Sequence, residues 1–234
     1  MFTVNKLRRI ASAVEAYSEK IGVVEQLKGV YDIEIDPDTE EELVKLLSSS
    51  LEKLPPELVK DCGIKTLGFE DLGPSKEYYP NHGKYIDSTL VLNQQIVDDP
   101  TLIVDPDSGS SVNKFDQTLY HELGHGWDEA QCPDSECLSL KKEWMILSKW
   151  SEKPVPGYRR VIIKEPGTPV LKGEYYYSPG AGFTRFYAKR NPWDDFADSF
   201  SYYVADLKSF LPPNKVAYFD KHIGKYFKGF KNGS

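Results

Sequence analysis

The sequence predicts an α+β fold. Residues 1–130 are expected to form an N-terminal lobe with a small mixed sheet and a histidine-bearing helix, and residues 131–234 a mainly helical C-terminal lobe. Three observations carry this expectation. Segments of strand character, VYDIEI, IKTLGFEDL and GKYIDSTLVLN, lie ahead of residue 94. Segments of helical period dominate beyond it. The 234 residues contain no repeat and no low-complexity linker, so both lobes are expected to belong to one domain, 1–234, with a cleft between them.

Asn5 to Leu27 reads as a helix because Leu7, Ile10, Val14, Tyr17 and Ile21 recur at helical spacing. After Gly29, VYDIEI alternates as a strand does. DPDTEEELVKLL starts a second helix, with Thr39 and Glu42 spaced as a capping box. Pro55 and Pro56 stop that helix or open the next segment, since proline donates no backbone N–H. IKTLGFEDL reads as a second strand, and GKYIDSTLVLN, Gly83 to Asn93, as a third. DDPTLIVDPDSGSS reads as a loop leading into a helix that contains YHELGHGWDEA, Tyr120 to Ala130. Beyond it LSLKKEWMILSKW is expected to be helical, YRRVIIK and GEYYYS to be strands or a hairpin, and two helices to cover roughly Trp193 to Leu207 and Asn214 to Phe227.

A net charge of -7 argues against nucleic acid or an anionic membrane as partner, because both require a basic field. Glu15 and Glu19 interrupt the start of the chain, so no signal-peptide core is visible. No run approaches the ~18 apolar residues of a transmembrane helix. The chain is therefore expected to act where it is made, to leave by a leaderless route, or to be the mature form of a secreted protein. Cys62, Cys132 and Cys137 are too few for a disulfide framework, although a Cys132–Cys137 bridge stays open. This cysteine usage favours a reducing compartment without deciding it.

HELGH holds the chemistry. Residues four apart on a helix advance about 6 Å and return nearly to the same face, so His121 and His125 can converge on one metal ion. Imidazole nitrogen suits Zn²⁺. Glu122 stands one position round the helix, where a general base can reach an activated water without being a ligand. The competing reading is a pair of histidines lining an ordinary packed helix. On a wheel, however, Val112, Phe115, Leu119, Leu123 and Ala130 form the apolar stripe, and His121, His125 and Asp128 fall opposite it. Asp128 can orient a ligand imidazole from behind, or be a solvated helix acid.

A catalytic zinc takes three protein ligands and leaves one position open. A metzincin would place a glycine and a third histidine after the motif, but Asp128 and Gln131 stand there. A thermolysin-like enzyme would use a glutamate on the next helix. Glu143 is nearly in place, but Leu147 replaces its usual partner acid. A closed structural site could combine His121 and His125 with Cys132 and Cys137, which leaves Glu122 without a purpose. Last, in FYAKRNPWDDFADSFSYYV, Asp194 and Asp198 share a stripe beside a strong apolar face. Acids there offset a helix dipole beginning at Pro192, or one of them completes the metal site.

HELGHGWDEA followed by Y-x6-D-D-F-A-D-S-F resembles the metallopeptidases related to anthrax lethal factor and the Pro-Pro endopeptidases, which carry HExxH and a later E-x-F-A-E-x-F helix. The resemblance covers roughly residues 83 to 206. It implies a zincin-like fold and a zinc-dependent metalloendopeptidase with one Zn²⁺ per chain, held by His121, His125 and Asp194, with Glu143 as the alternative third ligand. It also implies that Tyr187, seven residues before Asp194, stabilises the transition state, and that Asp198 matches the second acid of the motif, behind the ligands. Aspartate replaces the usual glutamate here, so the two helices must lie closer together, or Glu143 is the ligand. GKYIDSTLVLN resembles the family's edge strand. A peptide or protein substrate would add to it as a further strand, through Gly83, Tyr85, Thr89 and Leu90. No proline-specific pocket is identifiable, so no cleavage preference follows. The other classes weighed are a structural-zinc interaction protein, a particle-associated component of the same fold with little turnover, and a hydrolase of non-peptide amides.

Overall fold

The computed structural model describes residues 4–73, 82–97, 101–105, 110–132, 137–164 and 171–230. Helix α1 spans Val4–Tyr31, and strand β1 is only Glu34–Ile35. The first two residues of the expected strand VYDIEI, Val30 and Tyr31, are thus helix and only its last two are strand. Leu27 and Tyr31, four apart, are buried in the core and hold the chain helical past Gly29, whereas Tyr17 and Ile21 of the expected stripe are exposed. Helix α2, Glu41–Leu51, starts without a capping box: Glu40 is its N-cap and makes no side-chain cap, while the Thr39 hydroxyl is buried without a partner. Pro56 opens helix α3, Pro56–Asp61, at the position where a missing N–H costs nothing.

Strand β2 spans Thr66–Glu70, β3 Gly83–Ile86 and β4 Thr89–Asn93. The sheet order is β1-β2-β4-β3, with β1, β2 and β4 parallel and β3 antiparallel at the edge. The expected single strand Gly83 to Asn93 is therefore a hairpin. Asp87 and Ser88 both take positive φ, +49° and +63°, and close a two-residue turn matched to the strand twist. Strands β5, Thr101–Asp105, and β6, Ser110–Asn113, pair antiparallel within a segment expected to be loop.

Asn113 ends β6 and caps helix α4, Lys114–Ala130, accepting the N–H groups of Phe115 and Asp116 at 2.8 and 3.2 Å. Its Phe115 stacks on Phe69 of β2, centroids 6.2 Å apart. The opposite side of α4 meets helix α6, Pro192–Val204, and Trp127 stacks against Phe196 and Phe200 at 6.0 Å each. The histidine face is therefore a second packed face, and the wheel's division into core and outer stripes does not hold. His121 and Glu122 are both buried.

After α4, only Lys142–Leu147 is α-helical (α5) within the segment expected to be one helix, and Trp150–Ser151 becomes strand β7. Strands β8, Arg159–Lys164, and β9, Leu171–Tyr177, make the expected hairpin, and β7 joins it in the order β7-β9-β8. Helix α7 spans Pro213–His222. Trp144 of α5 packs on Phe196, Tyr218 and Phe219, tying α5, α6 and α7 into one aromatic cluster. No helix among the described residues is long and apolar enough to cross a membrane.

Candidate metal centre

Helices α4 and α6 cross at Gly124 and Ala197. A Cβ on Gly124 would lie 2.9 Å from the Ala197 Cα and 3.1 Å from its carbonyl oxygen, so only glycine permits this approach. This close approach bears on the aspartate at 194. Brought this near, a side chain one methylene shorter than glutamate reaches the histidines. His121 Nε2 and His125 Nε2 are 3.1 Å apart, and Asp194 Oδ1 lies 3.9 and 3.6 Å from them. Ligand bonds of about 2.0–2.1 Å in a tetrahedron place donor atoms about 3.3 Å apart, close to these values. Among the described residues, this is the one group of three or more ligand-type side chains spaced to hold a metal ion.

Two of the three donors, on His121 and Asp194, are fixed from behind. Asp198 Oδ1 lies 2.7 Å from His121 Nδ1. Burial opposes charge on Asp198, but the Arg185 guanidinium and His121 outweigh it and hold the carboxyl well below the usual carboxylate range. Asp198 is thus an acceptor, Nδ1 must carry the hydrogen, and the Nε2 lone pair of His121 faces the centre. Asn191 is the N-cap of α6: its Oδ1 accepts the Asp194 N–H and its Nδ2 donates to Asp194 Oδ2, both at 2.7 Å. That bond restrains one carboxylate oxygen while the other points at the histidines. Burial works against a positive charge on His125, but the Asp194 hydrogen bond and the charges of Glu122, Asp194 and Asp128 push its pKa up to about 9. A position that favours a proton so strongly favours a metal cation for the same electrostatic reason.

Glu122 is buried, and burial raises its proton affinity above that of an ordinary carboxylate. It packs on the edge strand: a Cβ on Gly83 would come within 2.9 Å of Glu122 Cγ and Oε1. Gly83 therefore accommodates Glu122. Gly83, Lys84 and Tyr85 border a cleft of about 440 Å³ shared with His121, Glu122, His125, Tyr187 and Asp194. Tyr187 stands edge-on to the His121 ring, centroids 5.5 Å apart, and burial raises its phenol pKa, keeping it a hydrogen-bond donor.

Other expected residues fall elsewhere. Thr89 and Leu90 lie on β4, paired with β2 on one side and β3 on the other, and Leu90 is fully buried. They cannot offer a free edge to a peptide, and only Gly83 and Tyr85 of that expectation remain at the cleft. Glu143 is on the surface of α5, paired with Lys221 at 2.7 Å, and takes no part in the cluster. Asp128 is buried, but its oxygens accept from the backbone N–H and hydroxyl of Ser139 at 2.7 and 2.6 Å. It acts on His125 through its charge rather than as an orienting hydrogen-bond partner. Cys132 and Cys137 are not bridged and do not join the ligand group.

Sequence reasoning missed Asn191, Arg185 and Ser139. Asn-Pro ahead of an apolar-periodic stretch is a legible helix start, so Asn191 was findable. Nothing local marks Arg185 or Ser139.

No protein-family model matches the chain, and no curated protein does. The geometry alone therefore ranks the candidate ligands. Asp194→Ala should weaken zinc by more than the about 10- to 100-fold typical of losing an outer partner, whereas Glu143→Ala should leave it unchanged. Competition against a chelating dye measures both, and the opposite ranking would move the third ligand to α5.

Proposed function

We propose that the chain is a zinc-dependent metalloendopeptidase of zincin type. The observation that carries this reading is the convergence of His121, His125 and Asp194 on one point, with Glu122 beside it in an open cleft. Two imidazoles and a carboxylate are a donor set that suits catalytic zinc and leaves a position for reactants. Zinc held there would supply Lewis acidity, lowering the pKa of water to about 7 and polarising a carbonyl.

The chain's own residues do the rest. Glu122 takes the proton of the attacking water and returns it to the leaving amine, a task suited to a buried carboxylate of raised proton affinity. Tyr187 donates to the carbonyl oxygen as negative charge develops on it. Among the described residues strand β3 is the edge of its sheet and borders the cleft, so an extended peptide can hydrogen-bond along it without demands on its side chains.

The test is metal content together with cleavage. Wild-type protein should hold one zinc per chain and cut members of a proteome-derived peptide library, with loss of cleavage on chelation. His121→Ala and His125→Ala should each abolish zinc, because two remaining ligands hold it poorly. Full zinc retention in both variants would sink the site. Zinc binding without cleavage of any peptide would leave a metal centre and remove the peptidase.

A further inference from the structure

We infer that Arg185 is a positioning residue of the metal centre, acting through Asp198 to fix the orientation and tautomer of His121. The inference rests on the reading of His121, His125 and Asp194 as metal ligands. Arg185 Nε donates to Asp198 Oδ2 at 2.7 Å and its Nη2 to Oδ1 at 2.5 Å. The same Oδ1 accepts His121 Nδ1. A planar fork on both oxygens fixes the plane of the carboxylate, which a single contact cannot do. Without it, Asp198 is a fully buried carboxylate with His121 as its remaining partner, and its carboxylate plane is no longer fixed.

Charge points the same way. A divalent ion surrounded by Glu122, Asp194 and Asp198, with both histidines neutral and Asp128 nearby, leaves net negative charge at the site. Arg190 Nε approaches Asp194 Oδ2 to 3.8 Å, while Arg185 is the cation that pairs with the fully buried Asp198, and buried charge is tolerated only when balanced and hydrogen-bonded. The guanidinium also lies 5.2 Å from the Tyr187 ring, so one side chain braces two groups that face the cleft. Arg185 comes from the stretch just before α6, whereas His121 lies on α4. The clamp therefore joins the ligand histidine to the far side of the cleft.

The experiment is a double-mutant cycle on zinc affinity in the full chain. Arg185→Met keeps the length of the side chain and removes its charge and fork. It should weaken zinc about 10- to 100-fold, the range expected of an outer partner. In an Asp198→Asn background the same change should cost far less, because the route to His121 is already cut. Arg185→Lys, which restores the charge with a single contact, should fall between. Nitrogen-15 NMR of His121 supplies a readout independent of zinc: the Nδ1–H form should dominate in wild type and become mixed in Arg185→Met.

Unchanged zinc affinity and an unchanged His121 tautomer in folded Arg185→Met would overturn the inference. So would an equal loss of affinity in both backgrounds, or a raised KM with zinc affinity intact, which would make Arg185 a substrate contact. If Arg185→Met does not fold, Arg185→Lys is read by the same criteria, and wild-type values in it would overturn the inference. If wild-type protein binds no zinc, the proposed function fails, and the His121 tautomer still decides the role of Arg185.

Discussion

Replacing Glu122 by glutamine should leave zinc in place and lower peptide turnover by about 10² or more. The substitution keeps the size of the side chain and its packing against Gly83, and Glu122 is not among the converging donor atoms. It removes a buried carboxylate that borders the cleft without being a ligand; the other, Asp128, has both oxygens taken by Ser139. Zinc content and kcat on a cleaved peptide, measured on the same preparation, separate the two effects. Turnover equal to wild type would mean that the proton is taken elsewhere.

The second large effect is on stability. Lys215→Met should cost about 3–5 kcal/mol, because it leaves a buried charge without its partner. Lys215 and Asp195 are both fully buried, and Lys215 Nζ lies 2.5 Å from Asp195 Oδ1. The same ammonium donates to Ser199 Oγ at 3.2 Å, and Trp150 Nε1 donates to Asp195 Oδ2 at 3.1 Å. This network ties α6 to α7 and to β7. Adding Asp195→Asn should recover much of the loss, since the amide oxygen still accepts from Trp150 and no charge remains alone. Urea unfolding of the single and double variants measures it. A loss below about 1 kcal/mol in the single variant would show that water or rearrangement relieves the buried acid.

The network also accounts for the third acid of DDFADSF. The sequence supplied two explanations for three acids, metal binding and helix-dipole compensation; Asp195 does lie in the first turn of α6, but neither explanation accounts for its full burial against Lys215. Its partner is 20 residues away, and no pattern within α6 announces it. Asp194 and Asp198 were legible because they share one stripe of the helix beside its apolar face and match the acids of the resembling motif. The histidine pair was legible because residues four apart return to one helix face, and α4 and α6 were found to within a few residues because periodicity and a proline mark them.

What escaped was set by contacts between distant segments or by unusual turn chemistry. Asp87-Ser88 is not one of the glycine-bearing pairs that signal a two-residue hairpin, so β3 and β4 read as one strand, and the distinction between edge and interior was lost with it. Thr39 and Glu42 have the spacing of a capping box but not its geometry. The β5–β6 pair hid in a segment rich in Asp, Ser and Gly, where turn residues outweigh the short apolar run.

The contact between Gly83 and Glu122 carries a mechanical consequence. The strand that would align a peptide and the carboxylate that would handle its proton abut at one backbone position. Alignment of the chain to be cut and placement of the base thus share a single datum. Gly83→Ala would push on both together, shifting the register of the peptide and the reach of the carboxylate in one step. Substitutions further along β3 would alter alignment while leaving the base where it is. Selectivity and rate should accordingly vary independently at Tyr85 and inseparably at Gly83.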